Sequence, residues 1–511
     1  MNLPAGISST VAFHSRYAPL KEAKRHVDSI LAGKRPAIVF IIGGGYNYLS
    51  AVLAEHYPRS LRISLQPCND FLGHEVDIPI LNWHPSSSYS LRETIQRAIA
   101  GNRLAGGVVV IEWPPVVNQF QTETEHIRAT LRDVLEEASS DAATSGYWAT
   151  RWLYNSLRFV TSIRNTVRLA PGNSLIVVAC AGPGLADLLP ELLINRSSMT
   201  LWALASAAPS LLKAGLIPDL VIATDPGFWN GAHLKAAFYN KIPIAMPPST
   251  YVSCGILRQL RIVPLYTGLS FEKAAINAAG IGFESAKAAG SSAGTALSLA
   301  LNLTDGPIAL AGYDLAARGL MDHVQPYAFD ILDTESATRV TPAFSTRAAR
   351  VFDCYPSSSG GWRRSRAFST YAETIRVDKI DSNRVFRLGE SCVETSMQRA
   401  FFKDVPIRHG MTHPSISLPQ SLLDSSLSRD AASKAMLESL SESAYEQAAT
   451  AVKRSEPIPY DAALYYKALA PRVSATLLAE AARGEATLDD VVLATASANE
   501  AATRWLGCRA C

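Results

Sequence analysis

An α/β fold built on a Rossmann-like parallel sheet is what this sequence predicts, and three observations carry the prediction. Short continuous apolar runs, such as residues 174–180 and 199–205, alternate with segments of helical spacing. Runs of that kind suit parallel strands covered on both faces, and strict alternation with helices is the pattern of an open α/β sheet. Several of the runs end in Gly-rich or Asp-containing turns, the usual exits of such strands. The chain has 511 residues, more than a single core organises (roughly 250–300), so two or three domains are expected.

Taken in order, residues 1–160 read as an N-terminal Rossmann-like α/β domain. Residues 36–42 form an apolar run that ends in Gly43-Gly44-Gly45, and a helix-like segment follows at 48–56. Further strands are expected at 61–65 and 107–111, then two helices at 124–138 and 147–160. Residues 164–400 read as the central domain. Strands are expected at 174–180, 199–205, 220–224, 242–246, 262–266 and 307–311, with helices beginning near 186, 209 and 295. Residues 357–366, Ser-Ser-Ser-Gly-Gly-Trp-Arg-Arg-Ser-Arg, read as a flexible basic loop. Residues 421–511, rich in Ala, Leu, Glu and Ser, read as a helical C-terminal domain.

Composition excludes several classes. Hydrophobic residues make up 48% and charged residues 18%, which fits a globular chain rather than a disordered one. A net charge of +3 is too small for nucleic-acid binding by bulk electrostatics. No run reaches the ~20 apolar residues of a membrane span, and residues 1–21 lack the pattern of a signal peptide. The cysteines, at 68, 180, 254, 354, 392, 508 and 511, are odd in number and scattered. That suits a reducing, cytoplasmic setting rather than a disulfide framework. Cys508 and Cys511 form a lone pair with no second pair beside them, so a zinc site is not expected there. His409 and His413 have the spacing of helical metal ligands, but the intervening Gly410 argues against a helix.

Four segments carry candidate chemistry. The strand 176–180 breaks into Ala181-Gly182-Pro183-Gly184-Leu185, which opens a helix. A helix start at the carboxyl end of a parallel strand offers amide N–H groups and a positive dipole to a phosphate. A plain βα turn has the same composition. Asp225 closes the strand 220–224, where a carboxylate meets a ribose or sugar hydroxyl, holds a divalent metal, or simply starts a turn. Ser291, Ser292 and Thr295 precede an apolar helix and are either ligand donors or N-cap residues. Finally, residues 307–311 lead to Gly312-Tyr313-Asp314-Leu315, followed by Asp322-His323 and Tyr327. A histidine shortly after a strand end suits a general base, and a loop histidine is the alternative.

Together, and in this order, these segments resemble the motility accessory factor family of flagellin glycosyltransferases. Cys180–Leu185 is similar to that family's Gly-Pro-Ser-Leu turn, with Gly184 where serine is usual, and 207–226 is similar to the segment that follows. Gly290–Thr295 matches its Gly/Ser/Thr-rich helix start, and Gly312–Leu315 with His323 matches its Gly-x-Asp-Leu strand end. Residues 371–375 and 385–391 resemble its closing segment. The resemblance implies a core like bacterial sialyltransferases, a CMP-activated nonulosonic acid as donor, and Ser or Thr hydroxyls of flagellin as acceptor. In that reading His323 and Asp225 are catalytic. Gly182, Pro183, Gly184, Leu185, Ser291, Ser292, Thr295, Asp314 and Tyr327 bind substrate or nucleotide. No metal ligand is assigned, and a divalent metal stays open. The same core is similar to 6-hydroxymethylpterin diphosphokinase, which uses ATP and a metal, and a non-catalytic flagellin-binding protein is a third reading.

Overall fold

The computed structural model describes residues 12–507 apart from 80, 289, 355–356, 360, 365–371, 373–382, 407–411, 418–419 and 422–425. Cys508, Cys511, His409, Gly410 and Tyr371 therefore lie outside the described residues. The chain divides into two compact units, Met1–Thr150 with Leu437–Cys511, and Arg151–Met436.

The first unit is built on a four-stranded parallel sheet. Its strands are β1 (Ile38–Ile42), β2 (Leu61–Leu65), β3 (Leu81–Trp83) and β4 (Val108–Glu112), in the order β3-β2-β1-β4. All five residues of β1 are buried, because helices cover both faces of the sheet. Ile38, Phe40 and Ile42 belong to one apolar cluster, and Val39 and Ile41 to the other, as a period of two dictates. The C-terminal helices Tyr460–Leu469, Pro471–Ala482 and Leu488–Gly507 complete this unit, and Ala482 packs into the cluster around Ile38 and Phe40. The sequence sets residues 421–511 apart. In the structure, 437–511 fold together with 1–150.

The second unit holds the larger sheet. Its strands are β5 (Asn165–Thr166), β6 (Ile176–Ala179), β7 (Thr200–Leu204), β8 (Leu220–Ile222), β9 (Ile244–Met246), β10 (Arg261–Tyr266), β11 (Ile308–Ala311), β12 (Val385–Leu388), β13 (Gln398–Ala400) and β14 (Gln420–Ser421). They run in the order β13-β12-β11-β6-β7-β8-β9-β10-β5-β14, with a short strand Glu284–Ser285 beside β10. Every pairing along this path is parallel except that of β14 with β5. The chain winds outward from β6 through β7, β8, β9 and β10, then returns to place β11 on the other side of β6. Strand order thus reverses between β6 and β11, which opens a crevice at their carboxyl ends.

Two expectations change. The helices expected at 124–138 and 147–160 are one 42-residue helix, Gln121–Ser162. Gly146 suggests a break, but no proline supports one, and a lone glycine costs only about 1 kcal/mol in a helix. The basic loop at 357–366 contains strands, Ser357–Ser359 and Trp362–Arg364, which pair antiparallel; the latter also pairs with Ala317–Arg318. Residues 360, 365 and 366 are outside the described set.

Candidate active site

The crevice between β6 and β11 holds a cavity of about 240 Å3. Its walls come from the exits of those two strands and from the start of the helix Ser292–Leu303. Gly182, Ser291, Ser292, Asp314 and His323 line it together, joined by Ser206 and Asp322. Residues 110 or more apart in sequence, Gly182 and Ser292, meet here because both follow strands whose carboxyl ends face the same side.

Asp314 organises the floor. Its carboxylate accepts the Gly184 N–H at 2.5 Å and is almost wholly buried. The turn has no room for side chains around it. A Cβ on Gly182 would stand 2.5 Å from Asp314 Oδ2, and one on Gly184 would stand 2.8 Å from Oδ1. Glycine at both positions is thus explained by close approach of backbone to carboxylate. Burial pushes the Asp314 carboxyl up to about 6, against the opposing pull of the Gly184 N–H and the charges of Arg387 and Arg318. Leu315 next to it adopts φ 53°, a left-handed conformation that is uncommon for a non-glycine residue and fixes the chain's path over the cavity.

The turn 181–185 differs from the simple phosphate cradle. Gly182 N–H donates to Gly312 C=O at 2.9 Å, Gly184 N–H to Asp314, and Leu185 N–H to Gly182 C=O at 3.0 Å. These three amides are already satisfied within the fold. Leu185 is fully buried, and Pro183, Gly184 and Leu185 do not line the cavity.

At the helix start, Ser291 acts as an N-cap, accepting the Gly294 N–H at 3.2 Å. The capping role and a place in the cavity wall coincide in this residue. Ser292 Oγ lies 2.6 Å from Thr224 Oγ1, which ties the helix start to the exit of β8. Thr295 is buried and its hydroxyl bonds back to Ser291 C=O, so it stands outside the cavity wall.

His323 faces the other side. Its Nδ1 lies 3.3 Å from Asp322 Oδ1, and its ring stacks on Tyr327 with centroids 4.1 Å apart and planes 11° from parallel. Burial, the largest influence on Asp322, opposes ionisation. The hydrogen bond and charge of His323 and the charge of Arg350 overcome it, and the carboxyl stays below its ordinary value. Tyr327 also touches His233, whose ring burial lowers it to about 4. Burial, with the charges of Asp322 and Asp225 adding to it, raises the Tyr327 phenol. Asp225 itself is exposed, with Oδ1 accepting the Gly227 N–H at 2.7 Å, and lies outside the cavity wall.

Sequence reasoning named neither His233 nor Arg350, and passed over Ser206. His233 sits inside the helix Asn230–Tyr239 with no motif around it. The Asp322-His323 adjacency was visible, but only the fold makes the carboxylate a partner of the ring. Among the described residues no group of three or more His, Cys, Asp and Glu is placed to hold a metal. His413 bonds through Nδ1 to the hydroxyls of Ser174 and Thr200, at 2.9 and 3.1 Å. A larger cavity, about 650 Å3, opens at the amino ends of β7 to β10 beside that histidine. Ligands of open parallel sheets bind at the carboxyl ends, so the smaller cavity is the candidate.

Comparison with known proteins agrees with this placement of the fold. Residues 151–319 match the model of the 6-hydroxymethylpterin diphosphokinase MptE-like family, about a third of the chain. An uncharacterized protein of Treponema pallidum (strain Nichols) is 26% identical over 256 residues, which is 49% of this chain and 57% of that protein. This chain thus matches little more than half the length of that relative. The structure of a Maf glycosyltransferase from Magnetospirillum magneticum AMB-1 superposes with a TM-score of 0.51 at 11% identity. That match covers 98% of this chain and 80% of the other. No described helix is long and apolar enough to cross a membrane.

Proposed function

We propose that this chain, with its MptE-like central domain and Maf-like fold, is a cytoplasmic glycosyltransferase moving a nonulosonic sugar from a CMP-sugar to Ser or Thr hydroxyls of flagellin. The observation that carries the reading is one cavity at the β6/β11 switch point that gathers a serine-capped helix start and an Asp-His pair. At about 240 Å3 the cavity is smaller than the roughly 300–1,000 Å3 of a full ligand pocket. It takes one part of a nucleotide sugar, and the rest lies over the open rim towards Asp225 and Tyr327.

The residues divide the work. The N-terminus of the helix Ser292–Leu303, with the hydroxyls of Ser291 and Ser292, holds the anionic nucleotide. Gly182 lets the ligand approach the floor that Asp314 supports. His323 Nδ1 lies beside Asp322 Oδ1; in the tautomer protonated at Nδ1, Nε2 takes the proton of the attacking hydroxyl as the glycosidic bond forms and CMP leaves. Asp322 stabilises the imidazolium that results. Tyr327, outside the cavity wall, keeps the ring in place by stacking, and its phenol donates to the departing phosphate. Asp225, exposed at the rim, orients sugar hydroxyls. Attack from the face opposite the leaving group inverts the anomeric carbon.

Calorimetric titration with CMP and ATP, and intact mass of flagellin co-expressed with this chain and a sugar supply, test the reading. CMP binding together with a mass increase of one or more nonulosonic residues is the expected result. The family match at 151–319 favours a second reading, an ATP-dependent pyrophosphokinase, which instead predicts ATP binding and a metal requirement. Flagellin binding without any nucleotide binding would leave only an accessory, non-catalytic role. His323→Ala is expected to lower transfer by about 10²–10⁴-fold while CMP binding survives; wild-type turnover in that variant removes His323 from the role.

A further inference from the structure

A third cavity, about 550 Å3, lies within the first unit, at the amino ends of β1 and β2. It falls inside the size range of small-molecule sites. Three separate stretches build it: the turn after the helix Pro19–Leu31, the turn after the helix Tyr48–His56, and the turn after the helix Pro471–Ala482. Ser60 Oγ donates to Pro36 C=O at 2.6 Å and joins the first two. Arg35 reaches Glu485 at 3.7 Å and joins the first to the third.

The charge of this cavity is lopsided. Lys34, Arg35, Arg59 and Arg483 line it, against the single carboxylate of Glu485. Arg483 bonds Glu485 at 2.7 Å, and with the charges of Arg35 and Arg59 it holds that carboxyl below its usual range. One carboxylate balances one cation. Lys34 and Arg59 make no ion pair among the described residues, so a surplus of positive charge faces a concave, partly apolar wall that concentrates its field. Tyr57 adds an aromatic face to the same wall. Lys34, Arg35 and Arg59 are exposed, so solvent screens their mutual repulsion; a multivalent anion between them adds to what Glu485 already offsets.

We infer that this cavity is a binding site for a small phosphorylated anion, separate from the crevice at β6 and β11. Arginine forks suit phosphate oxygens in paired hydrogen bonds, and Tyr57 suits the base of a nucleotide. The site has two sources of matching chemistry, a free polyphosphate or a nucleotide, and the probes separate them.

The experiment is calorimetric titration of the full chain with inorganic pyrophosphate and with ATP, for wild type, Arg59→Glu and Glu485→Gln. Arg59 is exposed, so its replacement leaves the core intact. Reversing that charge is expected to weaken binding about tenfold or more, and removing the Glu485 charge to strengthen it about threefold. Opposite shifts from two substitutions in one cavity distinguish a site from general damage. Binding of both probes that weakens in Arg59→Glu assigns recognition here to the phosphates; binding of ATP alone that weakens in Arg59→Glu adds Tyr57 to the recognition. ATP binding that ignores Arg59→Glu belongs to the central cavity and overturns the inference. Wild type that takes up neither probe, or affinities unchanged in Arg59→Glu, overturns the inference. Neither substitution touches the central cavity, so CMP binding there is read independently.

Discussion

Asp314 shows how one residue sets both geometry and energetics. It is buried and bonded to Gly184 N–H, yet burial still lifts its carboxyl to about 6. A carboxyl raised above its unfolded value takes up a proton on folding, so the contribution of Asp314 to stability is full at low pH and is lost as pH rises from about 4 to about 6. A rise to about 6 corresponds to a few kcal/mol. Asparagine keeps the acceptor for Gly184 and has no charge to bury. Asp314→Asn is therefore expected to gain on wild type by a few kcal/mol between pH 4 and pH 7, read from denaturant unfolding of the central unit at both values. A gap that stays constant with pH would mean the carboxyl is not buried as described. On the other wall, Asp322→Asn is expected to lower transfer about 10²-fold or more with little change in CMP affinity, because the imidazolium loses its counter-charge. His233→Ala tests the ring stack. It removes the support behind Tyr327, so kcat is expected to fall while the KM for the donor holds.

At the scale of elements, the βα turn at 181–185 and the helix Gln121–Ser162 carry opposite lessons about glycine. A Cβ at Gly182 meets the Gly312 carbonyl and the Asp314 carboxylate at once, neither of which can give way. Gly182→Ala is expected to cost about 1–3 kcal/mol, seen as a lower melting temperature. Gly146 sits in the long helix with nothing within 4 Å of a Cβ. Gly146→Ala is expected to stabilise by about 0.5–1 kcal/mol, since the helix interior penalises glycine and nothing there requires it. A drop in melting temperature for that variant would show that the helix bends or ends at 146.

The whole chain adds the question of which segments stand together. The helices of 437–511 complete the unit built on β1 to β4, with Ala482 in its core. A chain ending at Met436 is expected to lose protection from proteolysis across residues 12–150 while the unit Arg151–Met436 stays resistant. Equal protection in both would separate the C-terminal helices from that core. The inferred anion cavity depends on the same return, because Arg483 and Glu485 come from it.

Local chemistry determined a good deal without the fold. Apolar runs marked β1, β2, β4 and β6 to β11, because parallel strands covered on both faces are largely apolar. Glycine, serine, aspartate and histidine after strand ends marked Gly182, Ser291, Ser292, Asp314 and His323, which the structure brings to one cavity. Short strands such as β5, β13 and β14 have too few residues to show a period, and pairing alone makes them strands. Only the tertiary structure decided that β11 returns beside β6, that the amides of 182, 184 and 185 are spent inside the fold, and that Asp225 and Thr295 stand outside the cavity wall. Only it gave His323 a stacked tyrosine and a buried histidine behind that. Periodicity reports which side of an element is buried, whereas pairings such as Gly184 with Asp314, β6 with β11 and His233 with Tyr327 join residues about ninety or more positions apart, a distance at which sequence pattern holds no information about contact.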